Sequence, residues 1–600
     1  MRIVVCVKHV PVLSALRFDP ETRRLVREGV PGEVSSFDLR ALGRAVALRA
    51  AHGGEVVALT MGPPAARAGL EDCLALGADR GLHLCDRLLA GSDTLATARA
   101  LAAAVLREEA DLVLFGRSST DAETGQVGPE VAELLDLPQV TGARTLDVDP
   151  AARTFTAERE TDEGFESVAG PLPAVITAAE DIAEERFPKK AEREAAKSKP
   201  IATLSVADLG LAAGKVGEAG SPTWVAGVEQ VEVTRRAELL AGDSPEALAS
   251  ALRERLRAIV PPRAEPPALP ERAAGEGPAL WVVCETGSQG LRPVTVELLA
   301  KAATLAARLG GRVEAVAIGS GREHAQALAA AGADRVLVAE SPGLEQYSTD
   351  AHAAVLAEAI RARQPRLVLL GATVRGRDLA PRVAARLGLG LTGDAIELDV
   401  DAEGRVRQLK PAFGGAIVAP ILSNTRPEMA TVRPGVLPAA RPDGARRAGI
   451  EALAVPVVPR RVRLSASRLL SEPAGEARLD EADVVIGVGR GVGSAAAVAP
   501  ILELAARIGA GVAATREVTD AGWLPRQHQV GLTGRSIAPR LYVALAVGGA
   551  MEHLVGVRRA GVVVAVNKNP KAPILKAADL GVVADYAALL PHLAAALSLE

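Results

Sequence analysis

The sequence has few cysteines, few histidines and no long apolar run, and each shortage excludes a class of protein. Its four cysteines, Cys6, Cys73, Cys85 and Cys284, lie far apart without a C-x-x-C pair or a histidine cluster, so neither an iron–sulfur site nor a zinc site is encoded. No stretch reaches the roughly 20 apolar residues of a membrane-spanning helix. A formal charge of −4 leaves no basic excess for binding nucleic acid.

These shortages predict a cytoplasmic protein with reduced, buried thiols, or one printed without its targeting peptide. They also predict no nucleic-acid partner, no direct membrane insertion and no metal. Aromatic residues make up only 2% of the chain, so alanine, valine, leucine and glycine must do the packing. Small side chains are typical of helices that pack closely on parallel sheets. At roughly 150 residues per domain, the 600 residues predict three or four domains.

Short apolar runs alternate with helical patterns in two parts of the chain. In the first part the predicted strands are residues 4–7, 55–61 and 112–115, and the predicted helices are 39–52, 65–76 and 94–107. In the second part the predicted strands are 281–284, 312–318 and 366–370, and the predicted helices are 295–309, 324–331 and 351–363. Strands separated by helices of this length predict right-handed βαβ units in parallel sheets.

The two parts share landmarks, which indicates a duplicated domain. LALGADR at residues 74–80 matches AAAGADR at residues 329–335, and VLFG at Val113 matches VLLG at Val368. The spacing between the two motifs is the same in both copies. Gly77 precedes Gly116 by 39 positions, and Gly332 precedes Gly371 by 39 positions. A predicted β-hairpin follows each copy, at residues 154–168 and 406–420.

The stretch AEPPALPERAAGEG at residues 264–277 is rich in proline, glycine and charge, and it predicts an interdomain linker. A third α/β unit follows from about residue 465. The predicted fold is α/β with three doubly wound parallel-sheet domains. They comprise residues 1–263 with a C-terminal arm, residues 278–464, and residues 465–600, and the first two are related nucleotide-binding-like domains that form a base.

Residues 511–585 alternate short β-rich runs with polar turns, and the turns carry a distinctive set of side chains. The set consists of Thr515, Arg516, Thr533, Gly534, His553, Asn567 and Asp585. Polar groups at the ends of parallel strands are where an open sheet holds a ligand. This set offers hydroxyls, an amide, an imidazole, a guanidinium and a carboxylate. It predicts a site for a large heterocycle with ribose and phosphate rather than a metal site or a nucleophilic triad.

Long motifs in a fixed order extend over nearly the whole chain. In the first half they are VCVKHVP at residue 5, FDPETRRLVREGVP at 18, MGPPAARAGLEDCLALGADR at 61 and DAETGQVGPEVAELLDLPQVT at 121. In the second half they are GRDLAPRVAARLG at 376, PAFGG at 411, RPEMATVRPGV at 426, DAGWLPRQHQVG, LTGRSIAPRLYVALAVGGAMEHL and VNKNPKAPI. On these motifs the chain resembles an electron transfer flavoprotein, with a beta-subunit-like half fused before an alpha-subunit-like half.

The resemblance implies that the 511–585 region binds FAD in a mobile third domain. The implied cofactor-binding residues are Arg490, Thr515, Arg516, Gln529, Val530, Gly531, Thr533, Gly534, Gly548, Gly549, Ala550, His553, Asn567, Lys568 and Asp585. By resemblance, Arg516 lies against the flavin ring, Thr533 reaches N5 and His553 lies by the O2 edge. Taken singly, the histidine also suits a surface or cap position and Asn567 a turn.

Three residues depart from the family pattern beside the flavin. Leu532 and Glu552 replace the usual glutamines, and Gly548 replaces a serine. Lost donors and an added carboxylate predict a lower flavin potential than in relatives.

The resemblance also implies a second nucleotide site in the first domain. Its residues are Cys6, Val7, Lys8, Ser35, Phe37, Asp38, Met61, Arg117, Asp121, Thr124, Gly125, Gln126 and Val127. The backbone amides and hydroxyls of TDAETGQVG suit phosphate. AMP is the favoured ligand, while a second FAD and an empty vestigial pocket stay open as alternatives.

The charged stretch at about residues 184–200 resembles the family's partner-recognition loop. Its implied residues are Arg186, Phe187 and Lys190, where Lys190 replaces the usual anchoring leucine and Phe187 is a candidate substitute. The resemblance implies a FAD-containing electron carrier between flavoprotein dehydrogenases and a quinone-linked oxidoreductase, without a catalytic acid or base. Two alternatives stay open: an NADH-oxidising bifurcating flavoprotein with a second FAD, and a nucleotide-binding regulator without redox chemistry.

Overall fold

The computed structural model describes residues 1–12, 15, 17–18, 25–26, 29–230, 234–262, 265–272, 277–287, 290–319, 321–457, 460–469, 479 and 482–598. The chain divides into two compact units, the first made of residues 1–229, 266–413 and 418–470 and the second of residues 230–265, 414–417 and 471–600. The predicted domain boundaries stay predictions. Residues 264 and 273–276 of the predicted linker, and residues 19–24 and 27–28 of the second motif, lie outside the described residues.

Strands and helices alternate along the part of the chain before the predicted linker. The strands are β1 Arg2–Cys6, β2 His9–Pro11, β3 Arg17–Phe18, β4 Leu25–Val26, β5 Gly32–Val34, β6 Glu55–Met61, β7 Arg80–Leu84, β8 Leu112–Gly116, β9 Gln139–Asp149, β10 Thr154–Glu160, β11 Gly164–Pro171, β12 Ala174–Ala178, β13 Ile201–Leu204, β14 Thr223–Val225, β15 Glu229–Gln230 and β16 Glu238–Leu240. The helices are α1 Ser36–His52, α2 Arg67–Ala75, α3 Thr94–Arg107, α4 Val127–Leu134, α5 Lys190–Ala196, α6 Gly217–Gly220 and α7 Pro245–Ile259.

The same alternation continues after the linker. The strands are β17 Ala279–Val283, β18 Thr286–Gly287, β19 Gly290–Leu291, β20 Arg312–Ile318, β21 Arg335–Ala339, β22 Leu367–Gly371, β23 Leu391–Ala395, β24 Glu397–Val400, β25 Val406–Ala412, β26 Ile417–Ser423, β27 Glu428–Val432, β28 Gly449–Ala452, β29 Arg463–Leu469, β30 Val484–Val488, β31 Gly511–Ala514, β32 Leu541–Leu545, β33 Val562–Val566 and β34 Leu580–Val582. The helices are α8 Pro293–Leu309, α9 Ala325–Ala330, α10 Thr349–Arg363, α11 Val374–Leu387, α12 Ala499–Ile508, α13 Arg516–Asp520, α14 Met551–Val557 and α15 Tyr586–Leu597.

The first sheet of the first unit has the order β13-β7-β6-β1-β8-β12-β9-β10-β11-β29. Its central strands are parallel, as in the pairs β1–β6 and β1–β8. These strands are apolar on both faces, because α1 and α2 pack against one face and α3 and α4 against the other. The observed fold is therefore the α/β arrangement that the sequence predicts.

The second sheet repeats the plan of the first. Its order β28-β21-β20-β17-β22-β27-β23 matches β13-β7-β6-β1-β8-β12-β9 strand for strand. The predicted duplication is confirmed. The first predicted hairpin is present as the antiparallel pair β10–β11, which lies between β9 and the edge strand β29 of the first sheet. In the second copy, β25 and β26 are neighbours in a separate small sheet of order β14-β26-β25-β24.

Helices α4 and α11 carry a polar contact between the two repeats. Arg382 is fully buried, and its Nε donates to the Glu133 carboxylate at 2.6 Å. Arg386 donates to the other oxygen of the same carboxylate at 2.6 Å. Beside them the buried Asp378 carboxylate accepts from Gln139 and Thr141, both at 2.7 Å. Buried charges are tolerated here because each has a partner of opposite charge or a hydrogen-bond donor.

The sheet of the second unit has the order β16-β34-β33-β32-β30-β31, and its paired strands are parallel. β16 and α7 belong to the predicted arm of the first half. β16 forms one edge of the sheet, and α7 packs against α15 through buried Leu248, Leu252 and Leu256. Within the described part of the chain, none of the helices combines the length and apolar character needed to cross a bilayer.

Candidate functional site

The carboxyl edge of the second unit's sheet holds the predicted FAD-binding residues. The chain passes from β30 outward to β31 and then crosses back to β32, so the direction of winding reverses between β30 and β32. In parallel sheets the loops at this reversal form the ligand crevice. The loops after the strands carry Arg490 after β30, Thr515 and Arg516 after β31, Gly548, Gly549 and Ala550 after β32, Asn567 and Lys568 after β33, and Asp585 after β34.

Glycines bring the backbones of the β30 and β32 loops into contact. The Gly491 N–H donates to the Ala546 carbonyl, and a Cβ on Gly489 would lie 2.2 Å from that same oxygen. A larger residue at position 489 is therefore excluded. Between the two glycines the exposed Arg490 guanidinium lies 4.6 Å from the Trp523 ring centre. The glycine-rich turn thus presents a cation, and a backbone without bulky side chains, at the crevice.

Thr515 and Arg516 begin helix α13 at the end of β31. The Thr515 hydroxyl oxygen is buried and has no hydrogen-bond partner among the described residues. Buried hydroxyls are normally paired, so this oxygen is suited to a bound ligand group. Arg516 is half-exposed and forms an ion pair with Asp520 at 3.4 Å.

The loop of residues 529–534 folds back against α14. Gly531 has φ +138°, and a Cβ there would lie 2.4 Å from the Glu552 carbonyl. The neighbouring Leu532 N–H donates to that carbonyl at 2.7 Å, and the Val530 N–H donates to Ala514 at the end of β31. Thr533 and Gly534 follow in the same tight turn, where a Cβ on Gly534 would lie 2.3 Å from the Gln529 carbonyl.

His553 lies inside the protein in this structure. One ring nitrogen, Nδ1, lies 3.0 Å from the Val530 carbonyl, and Nε2 lies 2.7 Å from the Tyr542 hydroxyl. A carbonyl only accepts, so Nδ1–H donates to Val530 and the Tyr542 hydroxyl donates to Nε2. Burial lowers the pKa of His553 to about 4, which makes the ring neutral at pH 7. The predicted contact of His553 with flavin stays a prediction.

Asn567 and Asp585 both have local structural partners. The Asn567 amide donates to the Val547 carbonyl at 2.8 Å and thereby links the β32 and β33 loops. The Asp585 carboxylate accepts from the Ala587 N–H at 3.0 Å and caps α15. Lys568 is exposed. The ligand roles predicted for these three residues are untested.

The residues that depart from the family pattern surround the same loops. Leu532 is half-buried, whereas Gly548 and Glu552 are exposed. Glu552 lies in the first turn of α14, near the backbone of the 529–534 loop.

The predicted second nucleotide residues come together at the carboxyl edge of the first sheet. Cys6 ends β1, Val7 and Lys8 follow it, Met61 ends β6, Arg117 follows β8, and Ser35, Phe37 and Asp38 lie at the start of α1. Asp121, Thr124, Gly125 and Gln126 lie in the loop that leads into α4, and Val127 is the first residue of that helix. Gly125 has φ +63°.

Several polar atoms of this second cluster are buried without a partner. The Ser35 hydroxyl and the Gln126 amide nitrogen have none among the described residues. Lys8 forms an ion pair with Asp121 at 2.7 Å. Arg117 lies 4.9 Å from the Phe37 ring centre and pairs with Glu180 at 2.8 Å. The unpaired amide and hydroxyl are suited to a nucleotide.

Asp38 lies at the centre of this cluster, between the ends of β1 and β8. Its carboxylate accepts from the N–H groups of Lys8 at 2.8 Å and Gly116 at 2.9 Å. Burial raises the pKa of Asp38 to about 7 despite these bonds. The group therefore changes charge near neutral pH, in a site where a phosphate would add further negative charge.

The second repeat has a different set of residues at the corresponding point. In the first repeat the Ser35 N–H donates to the Lys8 carbonyl. In the second repeat the equivalent bond runs from the Arg292 N–H to the Glu285 carbonyl. Glu285 therefore occupies the position that Lys8 has in the first repeat. Burial, and then repulsion from Asp162, raises the pKa of Glu285 to about 7. The Asp162 carboxylate comes from the β10–β11 turn of the first repeat.

That carboxylate caps the N-terminus of α11. Asp162 accepts from the N–H groups of Val374 at 2.9 Å and Arg375 at 3.1 Å. A helix N-terminus at a strand end is where a phosphate binds in such sheets. In the second repeat the Asp162 carboxylate occupies this phosphate position at the N-terminus of α11.

The predicted recognition loop lies at the surface of the first unit. The Phe187 side chain is 63% exposed, which leaves it accessible to a partner. Arg186 pairs with Glu192 at 2.9 Å, and Lys190 is the exposed first residue of α5. Recognition by these residues stays a prediction.

Sequence reasoning missed residues whose role depends on tertiary contacts. In the sequence Tyr542 is one residue of an apolar strand, but in the structure its hydroxyl forms a hydrogen bond with His553. Asp520 and Arg526 read as surface charges, yet they pair with each other. Asp162 reads as a turn residue. Only for Tyr542 was there a signal, since a hydroxyl in a buried strand requires a partner.

The comparisons with known proteins place these sites in a family. The electron transfer flavoprotein domain matches residues 22–209 and again 280–458, which is more than half of the chain. The electron transfer flavoprotein FAD-binding domain matches residues 478–558.

Individual relatives each match about half of the chain. The electron transfer flavoprotein subunit alpha of Thermoanaerobacterium thermosaccharolyticum is 40% identical over 316 residues, which are 52% of this chain and 96% of that protein. Protein FixB of Clostridium saccharobutylicum is 38% identical over 318 residues, 53% of this chain and 95% of that protein. The acryloyl-CoA reductase electron transfer subunit beta of Anaerotignum propionicum is 35% identical over 347 residues, 52% of this chain and 93% of that protein.

Three findings agree: the chain contains two copies of one domain, the winding of its third sheet reverses between β30 and β32, and the FAD-binding domain matches. The chain belongs to the electron transfer flavoprotein family.

Proposed function

We propose that the chain is a FAD-dependent electron carrier that accepts electrons from flavoprotein dehydrogenases and passes them to a quinone-linked oxidoreductase. The observation that carries the proposal is the gathering of Arg490, Thr515, Arg516 and the 548–550 loop at the winding reversal of the second unit. A relative named as the electron transfer subunit of an acryloyl-CoA reductase supports a partner of the dehydrogenase or reductase class.

The residues present suit FAD. Thr515 offers a buried, unpaired hydroxyl, and the glycines at 489 and 491 allow close backbone approach. Bound FAD supplies the uptake and release of electrons, singly or in pairs. Arg516 supplies a positive charge that stabilises negative charge gained by a ligand beside it. Thr533 supplies a hydroxyl whose oxygen already accepts from Gln529, so its hydrogen is left to donate to the ligand.

We propose AMP as the ligand of the first repeat. Lys8 and the unpaired Ser35 and Gln126 atoms support a phosphate-bearing nucleotide there. The second repeat has Glu285 at the position of Lys8, and Asp162 caps its helix, which supports a single such site per chain.

We further propose that the 184–200 loop binds the dehydrogenase, with Phe187 as its apolar anchor. Phe187 is an exposed aromatic side chain with Arg186 and Lys190 nearby in the sequence. Binding hot spots are typically of this kind: an apolar side chain enters the partner's surface, and charged neighbours contact the partner's charges. A cytoplasmic location is also proposed, and the four free thiols Cys6, Cys73, Cys85 and Cys284 support a reducing compartment.

The decisive experiment is to count the nucleotides released when the purified full-length chain is denatured. One FAD and one AMP per chain are expected. Two FAD per chain with NADH oxidation would instead establish the bifurcating alternative, and a colourless protein that does not take up FAD would establish the regulator. Stopped-flow reduction by an acyl-CoA dehydrogenase, with Phe187→Ser as the variant and Leu106→Ser as the matched exposed control, tests the partner loop.

A further inference from the structure

The buried Gln529 side chain connects helix α13 to the predicted flavin contact Thr533. Its Oε1 accepts from Arg526 Nη1 at 2.9 Å and lies 2.7 Å from the Thr519 hydroxyl oxygen, whose single hydrogen also has the Arg516 carbonyl within reach at 2.9 Å. Its Nε2 donates to the Thr533 hydroxyl oxygen at 2.9 Å. The amide is only 3% exposed, so water does not compete for these bonds.

Arg526 determines which way the Gln529 amide points. A guanidinium only donates hydrogen bonds, so the atom that faces Arg526 must be the amide oxygen. The amide nitrogen therefore faces Thr533. Without Arg526 the opposite orientation is no longer excluded, because the Thr519 hydroxyl can then accept from the amide nitrogen while its own hydrogen goes to the Arg516 carbonyl.

This orientation fixes the role of the Thr533 hydroxyl. Its oxygen accepts from Gln529, and its own hydrogen is left for a second partner. A hydroxyl that accepts one hydrogen bond becomes a stronger donor in the next. With the opposite amide orientation, the hydroxyl would donate to Gln529 instead.

Asp520 extends the chain of contacts to the second predicted flavin contact. It forms ion pairs with Arg526 and with Arg516, the latter at 3.4 Å. The order of contacts is Arg516, Asp520, Arg526, Gln529 and Thr533, so the guanidinium and the hydroxyl predicted to face the flavin share one polar network.

We propose that Arg526 is a positioning residue that orients Thr533 as a hydrogen-bond donor to FAD and thereby raises the flavin midpoint potential. The inference rests on the proposed function, because it places FAD against the 529–534 loop. Arg526 acts through Gln529 and does not itself touch the cofactor.

A double-mutant cycle on the FAD-loaded full-length chain tests this inference. The variants are Arg526→Leu, Thr533→Val and the double variant, and the measurement is the midpoint potential by redox titration. With Thr533 present, R526L is expected to lower the potential by the equivalent of a roughly fivefold change in the oxidised-to-reduced ratio, the size of one lost hydrogen bond. In the T533V background most of that shift is expected to disappear.

Three further variants separate orientation from charge and from folding. Arg526→Lys keeps a charged donor and is expected to retain the potential of the parent. Gln529→Glu presents only acceptors to Thr533 and is expected to lower the potential, again less in the T533V background. Arg507→Leu removes a charge at the C-terminal end of α12, before β31 begins and thus at the opposite edge of the sheet, and is expected to change nothing.

Equal shifts by R526L in the Thr533 and T533V backgrounds would overturn the inference, because Arg526 would then act by charge alone. That result leaves the proposed function standing. A full-length parent chain that takes up no FAD would overturn the proposed function itself, and with it the inference.

Discussion

At the scale of single residues, we expect Leu532 and Glu552 to affect the flavin through their side chains. Their backbones already meet, since the Leu532 N–H donates to the Glu552 carbonyl at 2.7 Å. We expect Leu532→Gln and Glu552→Gln each to raise the midpoint potential by the equivalent of about 1 kcal/mol, because one adds a donor and the other removes a negative charge. Redox titration of the FAD-loaded variants measures the shift.

The control for lost charge is Glu503→Gln on the exposed side of α12. It is expected to leave the potential unchanged. If neither L532Q nor E552Q exceeds this control, these two positions do not tune the flavin.

Lys8 carries the charge opposite to that of its counterpart in the second repeat, Glu285. We expect Lys8→Glu to abolish AMP binding, because a carboxylate would then face the phosphate beside Asp38 and Asp121. FAD content is expected to stay the same, as the FAD site lies in the second unit. Chromatography of the nucleotides released on denaturation measures both.

Lys197→Glu provides the charge-matched control for K8E, since Lys197 is exposed on the surface. Full AMP content in K8E would contradict the assignment of Lys8 to this site.

At the scale of elements, sequence patterns predicted the central strands β1, β6 and β8 and their counterparts β17, β20 and β22, because burial on both faces requires continuous apolar runs. Residues 55–61 were predicted and observed as one strand, and the predicted hairpin at 154–168 is present as β10 and β11. The capping of α11 by Asp162 could not be predicted, since a turn carboxylate gives no sign of the helix it meets 212 positions later. The hydroxyl of Tyr542 in an apolar strand does indicate that it needs a partner, but the sequence does not show that the partner is His553.

The β10–β11 turn and α11 form one such unpredicted contact between elements. We expect Asp162→Ala to lower the free energy of unfolding of the first unit by about 1 kcal/mol, because the N–H groups of Val374 and Arg375 lose their acceptor. Urea denaturation followed by circular dichroism measures the difference.

Glu163→Ala alters the neighbouring residue of the same turn and is the matched control, since no bond from Glu163 to the α11 N-terminus is seen in the described part of the chain. A stability loss in E163A equal to that in D162A would mean that the turn, and not the cap, is what matters.

At the scale of the whole molecule, the chain consists of two compact units with separate cores. We expect Leu252→Ala to destabilise the second unit by about 2 to 5 kcal/mol, because Leu252 is fully buried between α7 and α15 and its loss leaves a cavity. Calorimetry is expected to show a lower transition temperature for the second unit and an unchanged one for the first.

Leu106→Ala truncates a leucine that is 70% exposed on α3 and is expected to shift neither transition. Equal lowering of both transitions by L252A would show that the two units unfold as one cooperative body.

The arm formed by β16 and α7 also affects how the chain is made. These elements leave the ribosome early, but the strands and helix that cover them are encoded at residues 484–597. Ile259 precedes Tyr586, where α15 begins, by 327 positions, which at roughly 5–20 residues per second is roughly 16 to 65 s of translation. During that time the apolar face of Leu248, Leu252 and Leu256 lacks the partner that it has in the folded chain, so we expect chaperones to bind the nascent first half until its own C-terminal region emerges.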